Sequence, residues 1–473
     1  MGFFSRTVEE RRELIIHGST LRTMLILSLP MFMMSLVQAF VPVMDGLFVN
    51  RFSSIEVADA VGFSTPIIMF FYALSMGISI ASSALLGQIN GSGNKSQLCY
   101  VASQVMKLTI YASLSVMVLP VIGAQIFKNI VDASFSTEFV RYLSLYSVAL
   151  PSFFISGVFS AVMNSTGKPE RSFAMVGLFF VLKLLFNAIF LAYLRLDEYG
   201  AAAASFIAGS ITAVCMVREL YFKKNRDLKL GFRGLKLDNE VLKTLLRLGL
   251  PTVISSSMIT MGFILINVEV SSFGPKVMNA QTIAVSINAI CFTVPTAISA
   301  TITTMVSMYV GANHTDKAKQ TLRYGIIISL LLSGVIFAIF IPYGEFWVRL
   351  FRDDKEIVET AVRALFLYTL SVPFFAIFSD VQAVFIAIGR TRQTMVFGVL
   401  RIWLFRIVFM KIMLEQMGVD AIFMGNLFAN GLASILFYIL LMFTPWKSVI
   451  RNRDGLGKNA LVGDDSEWLG CSH

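Results

Sequence analysis

The sequence predicts an all-α integral membrane protein with twelve transmembrane helices, arranged as two six-helix lobes in parallel repeat. Three observations predict this fold class. Hydrophobic residues make up 56% of the 473 residues and charged residues only 14%, with a mean hydropathy of +0.74. The apolar residues fall into twelve long stretches, and short motifs recur about 221 residues apart. A soluble domain is not expected, because such domains carry about 25% charged residues.

The twelve apolar stretches define the predicted elements. A helix needs about 20 apolar residues to cross roughly 30 Å of hydrocarbon. The stretches are approximately 21–49, 58–89, 100–127, 139–165, 172–195, 200–222, 242–271, 278–310, 321–344, 360–388, 393–415 and 419–446. We predict helices throughout, because backbone groups in lipid need hydrogen-bond partners within their own segment. The stretches also lack the polar–apolar alternation of a membrane barrel.

The segments outside these stretches set the orientation of the chain. Residues 1–20 form an N-terminal arm, 223–241 a linker between spans six and seven, and 447–473 a polar tail that we expect to be disordered. The basic residues of the central loop are Lys223, Lys224, Arg226, Lys229, Arg233, Lys236 and Lys243. The positive-inside rule then places both termini in the cytoplasm, with the protein in the plasma membrane, as in a prokaryotic inner membrane. This topology explains the net charge of +10, so no nucleic-acid partner is expected.

An internal repeat divides the spans into two lobes. Residues 21–30 (LRTMLILSLP) reappear as 242–251 (LKTLLRLGLP), at an offset of 221. The run RYLSLY at 141–146, followed by Pro151, pairs with RALFLY at 363–368, followed by Pro373. The lobes therefore cover 21–222 and 242–446. Six spans per copy give both lobes the same orientation, and parallel repeats of this kind place a transport pathway between or within the lobes.

Ionisable residues inside membrane spans are functional candidates, because burying a charge in lipid is costly. Asp45, Asn187 and Ser205 lie on three predicted helices of the first lobe and share the outer third of the membrane. A carboxylate beside amide and hydroxyl oxygens suits a proton or Na⁺. Asp380, in span ten, is the corresponding candidate of the second lobe and lies nearer the cytoplasmic side. We predict that these four residues couple transport to a cation.

Several motifs resemble those of the multidrug and toxic compound extrusion (MATE) transporters, over about residues 20–446. They are Leu29-Pro30 followed by DGLFVN at 45–50, GQINGSG at 87–93 with GANH at 311–314, Asn187 with GAAAAS at 200–205, and DVQ at 380–382 leading to Gly389. The resemblance implies a secondary antiporter that exports organic, often cationic compounds in exchange for H⁺ or Na⁺. It implies small organic substrates, and we expect a monomer in contact with membrane lipid, with no cofactor beyond the coupling ion.

We expect four polar residues to line a substrate cavity and two prolines to form a hinge. The cavity candidates are Gln38, Asn164, Gln281 and Gln382. Pro30 and Pro42 lie in the same span as Asp45, and proline removes a backbone hydrogen bond and bends a helix. Neutralising Asp45 would then change the bend of span one, although a static kink fits the sequence equally well.

The sequence departs from the family pattern at two acids. Many members carry a second carboxylate four residues after the asparagine of span five, where this chain has Leu191. Na⁺ at Asp45 and Asn187 would lose a charged ligand, so we expect Asp45 to be a single buried acid without a cationic partner that binds a proton. The glutamate that the cation-coupled branch has in span seven is replaced by Ile259-Thr260, and Glu269 lies too near the outer end to substitute for it.

Basic residues within the spans leave alternatives open. Lys183 lies in span five and Arg401, Arg406 and Lys411 lie in span eleven. They are expected to face the lobe interior, where they bind carbonyls or acids; contact with an anionic substrate and snorkelling to the interface are the other readings. Asp380 is either a coupling group or the internal partner of Arg401 or Arg406.

A lipid flippase and a membrane enzyme are the two alternative functions. A flippase for lipid-linked oligosaccharides would share the fold and would need a basic cavity, to which Lys183, Arg401 and Arg406 could contribute. A membrane enzyme is not expected, because all three histidines (His17, His314 and His473) fall outside the apolar stretches and no metal-ligand spacing is present. No phosphate-binding loop is found either, so an ion gradient must supply the energy.

Overall fold

The computed structural model describes residues 6–52, 55–130, 136–222, 228, 230–231, 237–450 and 456, and this part of the chain is helical, without strands. The first half contains α1 (Val8–His17), α2 (Thr20–Phe52), α3 (Ile55–Ser92), α4 (Lys95–Ile130), α5 (Ser136–Ser147), α6 (Leu150–Ser165), α7 (Pro169–Asn187), a π-helical segment (Ala188–Tyr193) and α8 (Asp197–Tyr221). The second half contains α9 (Asn239–Ser271), α10 (Pro275–Gly311), α11 (Thr315–Phe340), α12 (Gly344–Arg349), α13 (Lys355–Leu370), α14 (Val372–Ala387), α15 (Thr391–Leu400), a second π-helical segment (Arg401–Ile407), α16 (Val408–Met417) and α17 (Asp420–Met442).

These elements confirm the predicted fold class. Nine helices of the described chain are long and apolar enough to cross a membrane, and two bent pairs, α5–α6 and α13–α14, add two spans. The continuous run of α15, the second π-helical segment and α16 supplies the twelfth. The N-lobe comprises α2 to α8 and the C-lobe α9 to α17, and each contributes six spans.

Each lobe has one bent span, at equivalent positions of the repeat. The bends measure 42° between α5 and α6 and 41° between α13 and α14. Pro151 and Pro373 lie in the first turn of the second helix of each pair, where the missing backbone N–H is tolerated. The sequence prediction of continuous helices over 139–165 and 360–388 is therefore corrected. In contrast, α2 continues through Pro30 and Pro42 as a single helix.

The lobes meet at the end of the bundle where α8 ends and α9 begins, which we call the linker end. There α3 and α10 approach so closely that a Cβ at Gly91 would overlap the carbonyl oxygen of Met308, and a Cβ at Gly311 would overlap that of Gln88. Gln88 also donates to the carbonyl oxygen of Ala387 at 2.6 Å. The glycines of the two repeated motifs thus permit close contact between the lobes, and the bundle is closed at the linker end.

Helix α1 lies across this closed end and is bound to both lobes. Arg11, only 1% exposed, donates to the carbonyl oxygen of Gly167 at 2.6 Å and pairs with Glu170 at 2.8 Å. On the C-lobe side, Tyr309 donates its hydroxyl to the carbonyl oxygen of Ile15 at 2.8 Å, and Lys317 donates to that of Ile16 at 2.6 Å. The N-terminal arm is therefore a packed element that connects the lobes.

The described parts of the linker and the tail pack against the linker end of the bundle. Leu230 is buried, and its N–H bonds the carbonyl oxygen of Leu220 at 3.0 Å. In the tail, Ser448 donates to Gln88 Oε1 at 2.6 Å, and Ile450 and Leu456 are buried. The expectation of a disordered tail is thus wrong for residues 447–450 and Leu456; the other tail residues lie outside the described chain.

The outer surface of the bundle is strongly apolar. Large hydrophobic side chains from both lobes are more than half exposed, among them Leu29, Val181, Val214 and Leu331. Soluble monomers rarely expose contiguous apolar patches larger than a few hundred Å². This surface is suited to lipid, as the hydropathy of the spans requires.

Candidate functional site

A polar cluster inside the N-lobe joins α2 to α7. Lys183 Nζ lies 2.5 Å from Asp45 Oδ2, and Asn187 Nδ2 donates to Asp45 Oδ1 at 3.0 Å. Lys183 and Asn187 are four residues apart, which places them on one face of α7. The Lys183 side chain is 6% exposed and that of Asp45 34% exposed. The cluster is thus a partly buried ion pair whose carboxylate is held by two donors.

Aromatic rings surround this ion pair. The Lys183 ammonium lies 5.8 Å from the centroid of Phe179, within the range of a cation–π contact. Phe179 contacts Phe153, which stacks on Tyr146, and Tyr146 packs against Tyr142 with ring centroids 5.7 Å apart. Tyr142 and Tyr146 both lie within electrostatic range of Asp45. The N-lobe therefore surrounds its own ammonium group with a carboxylate and aromatic faces.

The N-lobe predictions are met only in part. The structure brings Asn187 to Asp45, as expected, but Ser205 donates to the carbonyl oxygen of Ala201 at 3.1 Å. Leu191 is fully buried and packs in an apolar cluster. The expectation that Asp45 lacks a cationic partner is wrong, because Lys183 provides one.

A second polar cluster lies inside the C-lobe, around Asp380. Its carboxylate is fully buried and accepts hydrogen bonds from two hydroxyls, Ser299 to Oδ1 and Ser329 to Oδ2, each at 2.9 Å. Ser299 in turn lies 2.5 Å from the hydroxyl oxygen of Ser379. The serines come from α10, α11 and α14, so three spans meet at this carboxylate.

No basic side chain of the described chain forms an ion pair with Asp380. The alternative that pairs it with Arg401 or Arg406 is therefore not supported. Arg401 donates to Asn430 Oδ1 at 2.8 Å and stacks on Phe375 and Phe378, while Arg406 lies near the Tyr368 hydroxyl. A buried carboxylate that only neutral donors contact can bind a proton, which would remove the cost of its burial.

The two acids lie at different depths. Asp45 is seven residues from the end of α2 that faces away from the linker, and Asp380 is seven residues from the linker end of α14. At 1.5 Å per residue, each lies about 10 Å inside the bundle, from opposite ends. The Asp45 cluster is therefore nearer the membrane surface opposite the linker, and the Asp380 cluster is nearer the surface at the linker end.

The four predicted cavity residues do not form one group. Gln281 is buried and accepts from the Tyr368 hydroxyl at 2.6 Å, whereas Asn164 accepts from Ser172 at 3.1 Å near the linker end. Gln38 is exposed on α2 and Gln382 is half-buried on α14. None of them lines the cavity of about 460 Å³ at the opposite end of the C-lobe, which is bordered by Phe340, Val362, Met417 and Met424.

Sequence reasoning missed three features of these sites. The i, i+4 spacing of Lys183 and Asn187 was a readable signal that both face one partner. Ser299 and Ser329 gave no signal, because serine is common in membrane helices. The π-helical segments also gave none. Among the described residues, no three His, Cys, Asp or Glu side chains are grouped so as to hold a metal ion.

Comparison with known proteins adds a family match. The family model described as MatE matches residues 30–189 and 251–412, two segments that begin 221 residues apart, as the internal repeat does. "Probable multidrug resistance protein YoeA" of Bacillus subtilis (strain 168) is 23% identical over 398 residues, which cover 81% of this chain and 85% of that protein.

Two solved structures share the fold, each at 18% identity. One, described as the "outward-facing conformation of a multidrug resistance MATE family transporter of the MOP superfamily", gives a TM-score of 0.86 over 93% of this chain and 98% of its own. The other is a MOP superfamily transporter from Pyrococcus furiosus Vc1, for which a "reverse polarity of binding pocket suggests different function". It gives a TM-score of 0.85 over the same shares.

Proposed function

Because the chain belongs to the MatE family, we propose that it is a secondary antiporter that exports organic cationic or amphipathic compounds in exchange for a cation. Relatives that are named as probable multidrug resistance proteins support multidrug export. The aromatic rings around the Lys183–Asp45 pair support recognition of organic cations, because aromatic faces and a carboxylate both attract such groups. An ion gradient, with no enzymatic step, would supply the energy.

The coupling ion is a proton, and it binds at Asp380. The observation that carries this assignment is the buried Asp380 carboxylate, whose contacts are the two hydroxyls of Ser299 and Ser329. A proton needs one carboxylate oxygen, whereas Na⁺ needs several oxygen ligands. A second carboxylate is missing from this cluster among the described residues. Protonation would remove the charge and weaken the hydrogen bonds that join α10, α11 and α14.

Asp45 plays a different part in the cycle. The Lys183 ammonium occupies the position at which a free cation would bind, 2.5 Å from the carboxylate. A cationic substrate can reach Asp45 only if the amine moves away. Asp45 thus belongs to substrate recognition, and Na⁺ at Asp45 and Asn187 would have to compete with a tethered cation.

Alternating access would open the linker end. Positive residues cluster there, so we place that end and both termini in the cytoplasm, with the protein in a plasma membrane. The contacts of α1 and of Gly91 with Met308 close the cytoplasmic side, which leaves the opposite side as the exit for substrate. Release of these contacts, together with a change in α2 at Pro30 and Pro42, would allow the lobes to separate.

The structure favours export of organic compounds over a flippase for lipid-linked oligosaccharides. A flippase would need an open basic cavity large enough for a lipid diphosphate and its sugar chain. Lys183 is instead paired with Asp45, and Arg401 and Arg406 are at most 9% exposed and lie against aromatic rings in this conformation. Translocation of a fluorescent cationic dye and of a polyprenyl diphosphate lipid across proteoliposomes would separate these functions.

Dye efflux from proteoliposomes tests the proposal. Ethidium-loaded vesicles should lose dye under an imposed pH gradient, and an equal Na⁺ gradient should have no effect. Asp380→Asn should abolish the response to the pH gradient, whereas Asp353→Asn, at an exposed loop acid, should not. Efflux driven by Na⁺ alone, or full activity of Asp380→Asn, would overturn proton coupling at Asp380; retention of dye under both gradients by the unmodified protein would overturn the transport function.

A further inference from the structure

Two arginines are buried inside the C-lobe without an acidic partner. Arg401 is 9% exposed and Arg406 is 4% exposed, and both belong to the second π-helical segment, in span eleven. Within the described chain, no carboxylate forms an ion pair with either one. The Nε atom of each guanidinium is buried and has no hydrogen-bond partner. Buried charges are usually paired with an opposite charge, so a bound anion would stabilise these two cations.

The π-helical segment explains how both arginines reach the same region. In a π-helix the backbone hydrogen bond spans five residues rather than four. Residues five apart, such as Arg401 and Arg406, therefore return close to the same face, whereas an α-helix would direct them apart. The two guanidinium groups lie within the range at which their like charges repel each other. Repulsion between them disfavours this arrangement unless a negative group lies nearby.

Nearby charged groups of the C-lobe have other partners. Lys411, also in span eleven, pairs with Glu269 at 2.5 Å, and Arg363 pairs with Asp420 at 3.3 Å. Asp380 accepts from Ser299 and Ser329. Arg401 and Arg406 are the basic residues of this span that remain uncompensated in the described structure.

The surroundings of the arginines combine apolar walls with polar anchors. Arg401 stacks on Phe375 and Phe378 at 5.2 and 4.9 Å, and its Nη1 donates to Asn430 at 2.8 Å. Arg406 lies 5.3 Å from the ring of Phe263, which is 42% exposed and covers it. A turn of the Phe263 side chain would uncover Arg406. The rings would then contact the apolar body of a ligand whose charged group binds the guanidiniums.

We propose that the C-lobe contains an anion-binding site, formed by Arg401 and Arg406, for the carboxylate or phosphate group of an amphipathic compound. Guanidinium groups bind both kinds of anion in bidentate fashion. The group can come from a soluble organic anion or from the headgroup of an anionic lipid. This site is independent of proton coupling at Asp380, and it would extend the ligands of the protein from cations to anions or zwitterions.

Trp403 provides a local reporter for this site. It lies between the two arginines in sequence, and its indole N–H donates to the carbonyl oxygen of Met258 at 2.8 Å. The chain has four tryptophans. Full-length protein in which Trp347, Trp446 and Trp468 are replaced by Phe keeps Trp403 as its one tryptophan. Its fluorescence would be titrated with phenylacetate, phenyl phosphate and, as a matched cation, benzylammonium.

The titrations would use nanodiscs of phosphatidylcholine, with and without phosphatidylglycerol. We expect a saturable change with the two soluble anions and none with benzylammonium. Arg401→Gln and Arg406→Gln should each weaken anion binding at least about 10-fold, whereas Lys411→Gln, a basic residue of the same span, should not. A response to phosphatidylglycerol in place of the soluble anions would assign the site to a lipid headgroup, and it would have to be lost in the same two variants.

Other outcomes would overturn the proposal. They are the absence of a response to the soluble anions and to phosphatidylglycerol, an equal response to benzylammonium, or unchanged affinity in both glutamine variants. If those variants do not fold, Phe263→Ala keeps both arginines and widens the access to them. It should speed anion binding severalfold, and an unchanged rate would show that the arginines serve packing alone.

Discussion

The two lobes descend from one repeat but hold their buried acids in different ways. In the N-lobe, Asp45 is 2.5 Å from the ammonium of Lys183 and remains 34% exposed. In the C-lobe, Asp380 is fully buried and accepts two serine hydroxyls. The C-lobe contains basic residues too, but Arg401 and Arg406 do not approach its acid. The scaffold is shared, whereas the charge pairing differs.

This difference indicates a division of labour. A carboxylate with a tethered cation is already paired, so a free cation must compete with the amine. A carboxylate among hydroxyls is stable in lipid mainly when it is neutral. One acid therefore suits the recognition of a ligand, and the other suits the carriage of a proton. The comparison can be tested by removing each feature in turn.

The largest effect is expected at Asp380. Asp380→Asn keeps the size of the side chain and can still bond both serines, with one hydroxyl now accepting from the amide, but it cannot bind or release a proton. Dye export driven by a pH gradient should therefore fall about 100-fold, near the upper end of typical coupling between two sites. Asp45→Asn should instead weaken dye affinity and leave the response to the pH gradient in place. Initial rates in proteoliposomes would measure both. Equal loss of pH coupling in the two variants would remove the proposed division.

The next effect concerns the ion pair of the N-lobe. Lys183→Met leaves Asp45 as an unpaired carboxylate and should lower the free energy of unfolding by about 1–3 kcal/mol, less than a fully buried pair would lose. The double variant Asp45→Asn with Lys183→Met should recover most of this loss. Thermal unfolding in one detergent would measure the set. If the double variant is as unstable as Lys183→Met alone, the pair is not what stabilises this cluster.

A smaller effect is expected at the serines of the C-lobe. Ser299→Ala and Ser329→Ala each remove one donor that stabilises the charged form of Asp380, so the pH profile of export should move to higher pH and the rate should fall about 3- to 10-fold. Ser286→Ala, at a half-buried serine of α10 that donates to the carbonyl oxygen of Thr282, is the matched control. A profile that does not move in either variant would separate these serines from the proton site.

The sequence predicted the architecture well for a physical reason. Spans of about 20 apolar residues are required by the bilayer, and the repeat offset recurs as the spacing of the two MatE segments. The bends at Pro151 and Pro373 were missed, because hydropathy averages over a window and does not register a change of direction. A proline in the sequence does not by itself predict a break in a span, since α2 continues through Pro30 and Pro42.

The candidate sites were predicted less completely than the fold. Asp45, Asn187 and Asp380 could be identified because polar residues within apolar runs are few. The residues that each of them contacts depend on the rotation of each helix about its axis. This rotation cannot be predicted from an apolar stretch that has no polar face. For Lys183 the spacing from Asn187 offered a clue. The proximity of Arg401 and Arg406 depends on the π-helical geometry, which no sequence pattern predicts.

The smallest expected effect concerns the helix that joins the two lobes. Arg11→Gln should break the buried contacts with Gly167 and Glu170 and favour the state that is open at the linker end. Because Glu170 is partly exposed, we expect a change of about 1–2 kcal/mol, or a 5- to 30-fold change in the ratio of closed to open molecules. Spin labels at Ser92 and Lys319, which lie at this end on different lobes, would report the distance between the lobes.

The exposed Arg22, at the start of α2, provides the control for this experiment. Arg22→Gln should leave the distance distribution unchanged, whereas Arg11→Gln should add a longer component. Lys317→Met should do the same from the other side, because it releases α1 from the C-lobe. If Arg11→Gln acts and Lys317→Met does not, α1 stabilises the N-lobe alone. A joint effect would show that the arm connects the two lobes and stabilises the conformation that is closed at the linker end.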